Sequence, residues 1–243
     1  MRKSVAILLT LCLLLGAIRT IRADDQDARG IIAKAMQATG GEEKLAKLKA
    51  MSWTEKGTFY GMGAGVPYTG SYSAERPDKF KMEIQGVFTI VVNGDKGWMG
   101  ANGSTQEMTK EQLDEQKQGL YAGSVASLVP LKDKAYKLSL LGESKVGDRS
   151  AAGVKVSRKD HYDVNLYFDK ETNLLVKTVS RLKDSMSGQE VEQEATYSDF
   201  KEVEGVKVPT KVSIKRDGKQ FVEAENSDMK LAEKLDDSVF AKP

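Results

Sequence analysis

Few residues in this chain have the types and spacing that chemistry needs, and each candidate meets a plainer reading. His161 is the only histidine among 243 residues. It stands beside Lys159, Asp160 and Asp163 at the start of a β-rich run, which reads as a solvated position. Cys12, the only cysteine, follows Leu11 rather than a small residue, so it does not complete a lipid-attachment box. One histidine and one cysteine furnish neither a zinc site nor a Cys–His nucleophile pair. A Ser-His-Asp triad on His161 finds no serine in a nucleophile-elbow motif to support it. The run Gly61-Met62-Gly63-Ala64-Gly65 has the glycine density of a phosphate loop. Val66-Pro67 and a strand follow it, however, not a helix whose amides could hold phosphate, so it reads as a hairpin loop. Glu190, Glu192 and Glu194 alternate and share one strand face, and a general acid would need a desolvating pocket that such a face lacks. The sequence therefore assigns no catalytic residue, metal or cofactor, and the chain does not read as an enzyme.

Arg76 is the more informative residue. In a period-two reading it shares a face with Tyr72 and Ala74, beside a wall of Phe80, Met82 and Ile84. Either Pro77 swings the chain outward and Arg76 is solvated, or its guanidinium borders an apolar interior. In the second case it needs acceptors, because burying it unpaired is costly. Carbonyls or side chains of covering helices could supply them, which would make Arg76 the clasp of a lid.

The elements that would position these residues are mostly strands. Val164, Leu166 and Phe168 alternate with polar or amphipathic neighbours before the polar turn Asp169 to Asn173, and Leu174, Val176 and Thr178 alternate after it. This predicts a hairpin with one buried face, Phe168 opposite Leu174 and Leu166 opposite Val176. A one-sided antiparallel sheet must wrap around something. Similar runs recur from Trp53 to Asn226, with tight-turn signals at Asn93-Gly94 and Asp217-Gly218, giving roughly ten or eleven strands. Two helical stretches interrupt or precede them. Residues 24–49 carry the spacing Ala28, Ile31, Ile32, Ala35 and Thr39, stopped by Gly40-Gly41, then a short piece with Leu45 and Leu48. Residues 106–130 carry a possible Thr109/Gln112 capping box and a loose stripe of Leu113, Leu120, Tyr121, Val125 and Leu128. Gly119 and Gly123 each cost about 1 kcal/mol there against alanine and predict a weak helix.

Arg2 and Lys3, the apolar run from Val5 to Leu15 and the small Ala23 read as a secretory signal peptide over residues 1–23. Its removal takes four of the 37 basic residues and leaves fewer than the 35 acidic ones, so the mature chain is slightly acidic. No basic stripe points to nucleic acid. The mature chain lacks cysteine, so export does not imply a disulfide framework. The remaining residues, 24–243, suit a single β-rich domain.

Together these segments resemble the periplasmic lipoprotein carriers and outer-membrane lipoprotein-sorting proteins of the LolA/LolB type. The matching features are the leader and N-terminal helix, the run from Gly70 ending Glu75-Arg76-Pro77-Asp78-Lys79-Phe80, and Val91-Val92-Asn93-Gly94 leading to Trp98. The helical insert, Tyr167-Phe168-Asp169 and the segment from Tyr197 to Pro209 also fit. The resemblance implies a mainly β, α+β fold, an unclosed and strongly curved antiparallel half-barrel with the two helical stretches as a lid over an apolar cavity. It implies that Arg76 latches the lid, and makes Tyr72, Phe80, Met82, Ile84, Val91, Trp98, Leu166 and Phe168 the expected cavity wall. It further implies a monomer in the periplasm that binds lipid or lipoprotein acyl chains, with an inner- or outer-membrane donor or acceptor protein as partner. The glycine-containing insert and the long C-terminal meander depart from the classical carrier. The rival expectation is a filled barrel serving as an envelope protein-interaction or stress-sensing module.

Overall fold

The computed structural model describes residues 24–184 and 187–243. The leader expected over residues 1–23 lies outside them. Residues 24–39 form helix α1, whose Ala28, Ile32, Ala35 and Met36 are buried at i, i+4, i+7 and i+8 spacing. Gly40 and Gly41 end it with φ of 148° and 92°, values that favour glycine. Helix α2 (Glu42–Lys47) follows, then β1 (Ala50–Phe59), β2 (Val66–Glu75), β3 (Lys79–Ile84), β4 (Phe88–Asn93), β5 (Lys96–Ala101) and β6 (Ser104–Glu107). Helix α3 (Lys110–Ala126) and a 3-10 turn (Val129–Lys132) lead into the second half. That half comprises β7 (Lys137–Val146), β8 (Arg149–Ser157), β9 (Val164–Asp169), β10 (Leu175–Lys183), β11 (Glu190–Val203), β12 (Val206–Arg216) and β13 (Lys219–Ala232).

The strands make one antiparallel sheet of thirteen, in the order β6-β5-β4-β3-β2-β1-β13-β12-β11-β10-β9-β8-β7. The two ends, β6 and β7, do not pair with one another, so the sheet is unclosed. Pairing of β1 with β13 joins the two meanders into one surface. The count exceeds expectation partly through β6, whose last two residues, Gln106 and Glu107, fall in the stretch expected as the helical insert. Helix α3 itself starts at Lys110 behind the capping box formed by Thr109 and Gln112, and runs unbroken through Gly119 and Gly123.

Strand β9 keeps its expected inward residues, but the hairpin does not keep the expected register, and Leu175 rather than Leu174 shares the inward face with Phe168. Phe168 pairs with Leu175, and after a bulge Leu166 pairs with Thr178 rather than Val176. The cause is the turn. Asp169, 2% exposed, accepts hydrogen bonds from the Glu171 and Thr172 amides and the Thr172 hydroxyl at 2.8–3.0 Å, while Asn173 takes φ 57°. Burial alone would raise the Asp169 pKa, but bonds from Thr172 and Glu171 and the charge of Arg149 outweigh it and hold the carboxyl below its ordinary value. A depressed folded pKa stabilises the protein above the unfolded value near 3.9, and that contribution is lost as pH falls through the folded value. Asp169→Asn should therefore cost about 2 kcal/mol in urea unfolding at pH 7, and the gap from wild type should narrow at pH 3.

Helices α1 and α3 sit over the β7–β10 part of the sheet. Ile32 and Met36 of α1, and Tyr121 and Val125 of α3, share a core with Val154, Val156, Leu166 and Phe168. Arg29 anchors α1 by donating to the carbonyls of Leu131 and Tyr136 at 2.9 and 3.0 Å. Asp24 and Asp25 accept the amides of Leu140 and Leu138, covering part of the β7 edge. The opposite face of the sheet has a smaller cover, where Phe240 is wholly buried beneath β3 and β4.

Candidate functional site

The inward face of β1 and β2 carries Met51 opposite Ala74 and Trp53 opposite Tyr72. Helix α2 crosses the end of these strands, where its last carbonyls have no helical partners. Arg76 supplies them. Its Nη2 donates to the carbonyls of Leu45 and Leu48, each at 2.7 Å, and its backbone amide donates to Lys49 at 3.0 Å. The guanidinium is half-buried, and desolvation draws its pKa downward, although an arginine so placed stays charged. Pro77 therefore does not swing Arg76 into solvent. These bonds run to α2, within the first of the two helical stretches expected as the lid, and not to α3.

Behind Arg76 lies an apolar cavity of about 330 Å³. Leu45 of α2 and its C-cap residue Leu48 form one side, Gly123 and Ala126 of α3 another, and Met51 and Ala74 the floor. A polar wall group, the Tyr197 hydroxyl, shares a 3.0 Å hydrogen bond with Thr178, and burial raises the Tyr197 pKa. Helix α3 is tied down beyond the cavity by Lys117–Asp95 at 2.6 Å and Arg216–Glu115 at 3.6 Å. Among the described residues no His, Cys, Asp and Glu group could hold a metal ion, and no helix is long and apolar enough to cross a membrane.

No family model matches the sequence, and no curated protein matches it. Solved structures do. A LolA superfamily protein from Nitrosomonas europaea aligns with a TM-score of 0.59 over 88% of this chain and 97% of its own, at 16% identity. A DUF1329 family protein from Desulfovibrio piger gives 0.60 over 88% and 97%, at 11% identity. An outer membrane lipoprotein-sorting protein domain from Vibrio parahaemolyticus gives 0.59 over 90% and 97%, at 10% identity. The chain has the LolA-like fold.

Within that fold the expected wall residues are dispersed, and of the residues proposed from sequence for latch and wall only Arg76 borders the cavity. Tyr72, Phe80, Met82 and Ile84 do share the inward face, where Tyr72 stacks on Trp53 at 5.0 Å and approaches Phe80 at 6.3 Å. Val91 and Trp98 do not. They pair with one another and with Lys81, which sets them on the outer face. That face is covered near Phe240, whose carbonyl accepts from Asn93 at 3.3 Å. Leu166 and Phe168 face inward but are packed solidly under the helices.

The expected lid residues also divide. Leu113 leans over Gly97, where a Cβ would lie 3.0 Å from its Cδ1, and Leu120 is half-buried. Tyr121 and Val125 are buried in the core. Tyr121 stacks on His161 at 3.9 Å, so the histidine is not the solvated residue its neighbours suggest. Its Nδ1 is buried without a hydrogen-bond partner among the described residues, and burial followed by the charge of Arg158 lowers its pKa. Burial pushes the Tyr121 phenol up to about 12. The Gly61 to Gly65 loop is exposed and leads into β2, while Glu190 and Glu194 pair with Tyr162 and Lys177 on the sheet surface.

The sequence reading missed the small residues. A cavity needs positions where side chains stop short, and Ala50, Ala74, Gly123 and Ala126 are those positions. The available signal was Gly123 and Ala126 on α3 facing Ala74 on the sheet, small opposite small.

Proposed function

We propose that this protein binds an acyl chain of a lipid or lipoprotein in the cavity under α2 and α3, and carries it through the periplasm as a monomer between a membrane donor and an acceptor. The observation that carries this reading is the apolar cavity of about 330 Å³, closed by a helix whose terminal carbonyls are held by one arginine. Such a volume lies at the low end for small-molecule sites. At about 30 Å³ for a water-sized group it admits on the order of ten such groups, one chain segment rather than several. Ten methylenes are worth about 8 kcal/mol gross at 0.8 kcal/mol each, enough for retention and small enough for release. The lipoprotein-sorting description of the Vibrio parahaemolyticus domain favours the same cargo class.

The mature protein, expressed with its leader and purified without detergent, should yield acyl lipid on organic extraction and mass spectrometry, near one chain per protein. Repeated recovery of lipid-free protein that also fails to take up a fluorescent fatty acid would overturn the reading.

A further inference from the structure

Two residues beyond Trp53 on the same inward face of β1 stands Glu55. It is half-buried, opposite Gly70 on β2 and opposite Asn226 on β13. The Tyr68 hydroxyl donates to its Oε1 at 2.5 Å. No lysine or arginine among the described residues neutralises it, whereas the inward cation Arg216 has Glu115 at 3.6 Å. Two neighbouring positions of this face, Trp53 on β1 and Asn226 on β13, carry further polar atoms. The indole Nε1 of Trp53 and the Oδ1 of Asn226 are buried, and neither has a hydrogen-bond partner among the described residues.

This arrangement offers one unneutralised carboxylate, one amide acceptor and three aromatic rings, those of Trp53, Tyr68 and Tyr72. Aromatic faces and a carboxylate both attract a cation. A quaternary ammonium has no N–H for the Asn226 oxygen, and a buried acceptor left unpaired is costly. A hard metal ion would want six or more oxygen ligands. A primary ammonium, with three N–H donors, suits the set, and the Trp53 N–H is left without an acceptor of its own. Glycines give the rings their room, since a Cβ at Gly57 would meet the Tyr68 hydroxyl at 2.8 Å and one at Gly70 would meet the Tyr72 ring at 2.9 Å. Burial first, and then the hydrogen bond to Glu55 for Tyr68 and the charge of Glu55 for Tyr72, raise the pKa of both tyrosines, so their hydroxyls remain donors at neutral pH.

We infer that Glu55 and Asn226, walled by Trp53, Tyr68 and Tyr72, form a site for a primary ammonium group. The inference rests on the acyl-chain reading, which it deepens. Met51 lines the cavity and lies on the same face of β1, four residues from Glu55, or roughly 14 Å at 3.4 Å per residue. A chain whose end alone enters the cavity, and whose stem runs along this face past Trp53, would bring its head to the carboxylate.

The test follows Trp53 fluorescence in a Trp98→Phe background, which leaves one indole, with dodecylamine, dodecanol and ethanolamine as probes. Dodecylamine should bind at least ten-fold more tightly than dodecanol. Glu55→Gln should bring dodecylamine to the dodecanol level while leaving dodecanol unchanged, and Asn226→Lys, which supplies an internal cation, should do the same. Ethanolamine binding far more weakly than dodecylamine would assign the site to a lipid head group. Equal binding of ethanolamine would support the ammonium site for a free amine. Equal affinity for dodecylamine and dodecanol in the parent protein would overturn the ammonium site and leave the acyl-chain reading standing. So would an amine preference that survives Glu55→Gln. Binding of none of the three would overturn both.

Discussion

Arg76→Leu should unfasten α2 without unfolding the sheet. The substitution removes two charge-assisted hydrogen bonds and leaves the Leu45 and Leu48 carbonyls to find water. Hydrogen bonds to a charged group are worth about 1.5–3 kcal/mol each, and water recovers part of that for a helix at the surface, so a local cost of about 3 kcal/mol is expected. At 1.4 kcal/mol per decade this is on the order of a 100-fold rise in the opening of α2. Amide hydrogen exchange should show it in residues 42–49, with little change in β8 and β9, whose protection follows global unfolding. Because α2 closes one side of the cavity, release of a bound fluorescent fatty acid should accelerate by a similar factor. Arg76→Lys should recover little, since a single ammonium cannot present the same planar fork to two carbonyls. Unchanged exchange in α2 would show that the helix is held by Leu45 packing alone, and would remove the latch from the mechanism.

What the sequence disclosed follows from which physical signals are local. Helix α1 was legible because its stripe and its two closing glycines act within a few residues. The capping box of α3 was legible for the same reason. Inward residues of β9 were legible because alternation is local, but their pairing was not. The carboxylate of Asp169 gathers three donors in the turn, and the bulge that follows shifts the partner of Leu166 from Val176 to Thr178. On β4 alternation disappears altogether. Ile90, Val91 and Val92 are all buried, because the inner face meets the sheet interior and the outer face meets the segment containing Phe240. A strand covered on both faces gives no parity to read, so Val91 and Trp98 were placed on the wrong side. Arg76 stood out because a charge beside an apolar wall demands a partner. Which helix answers that demand depends on where β2 ends relative to α2, a tertiary fact. Glu55 carried no such signal, since a lone glutamate in a strand resembles any surface residue until Asn226 arrives from the far end of the chain.

Gly123→Phe should close the cavity while strengthening the protein, and that opposition makes it the more decisive experiment. A Cβ built at Gly123 meets nothing within 4 Å, and the residue borders the cavity, so a larger side chain has room to enter it. Replacing a helical glycine removes backbone freedom from the unfolded chain and contributes up to about 1 kcal/mol of stability. A benzyl group in the cavity buries further apolar area. Stability in urea should therefore rise by about 1 kcal/mol or more, with no change in the α3 capping box. Binding should move the other way. If the ring displaces about four methylenes of a bound chain, each worth about 0.8 kcal/mol, the loss is about 3 kcal/mol, or on the order of 100-fold in affinity for a long-chain fatty acid. Gly123→Ala separates the two effects, since it should keep most of the stability gain with little loss of volume. Gly119 offers a matched control, because a Cβ there also meets nothing within 4 Å but the residue does not line the cavity. Gly119→Phe should leave affinity unchanged. A destabilised Gly123→Phe would mean that the space is already closed by neighbouring side chains. A stable variant that binds fatty acid as tightly as its parent would place any cargo elsewhere on the sheet.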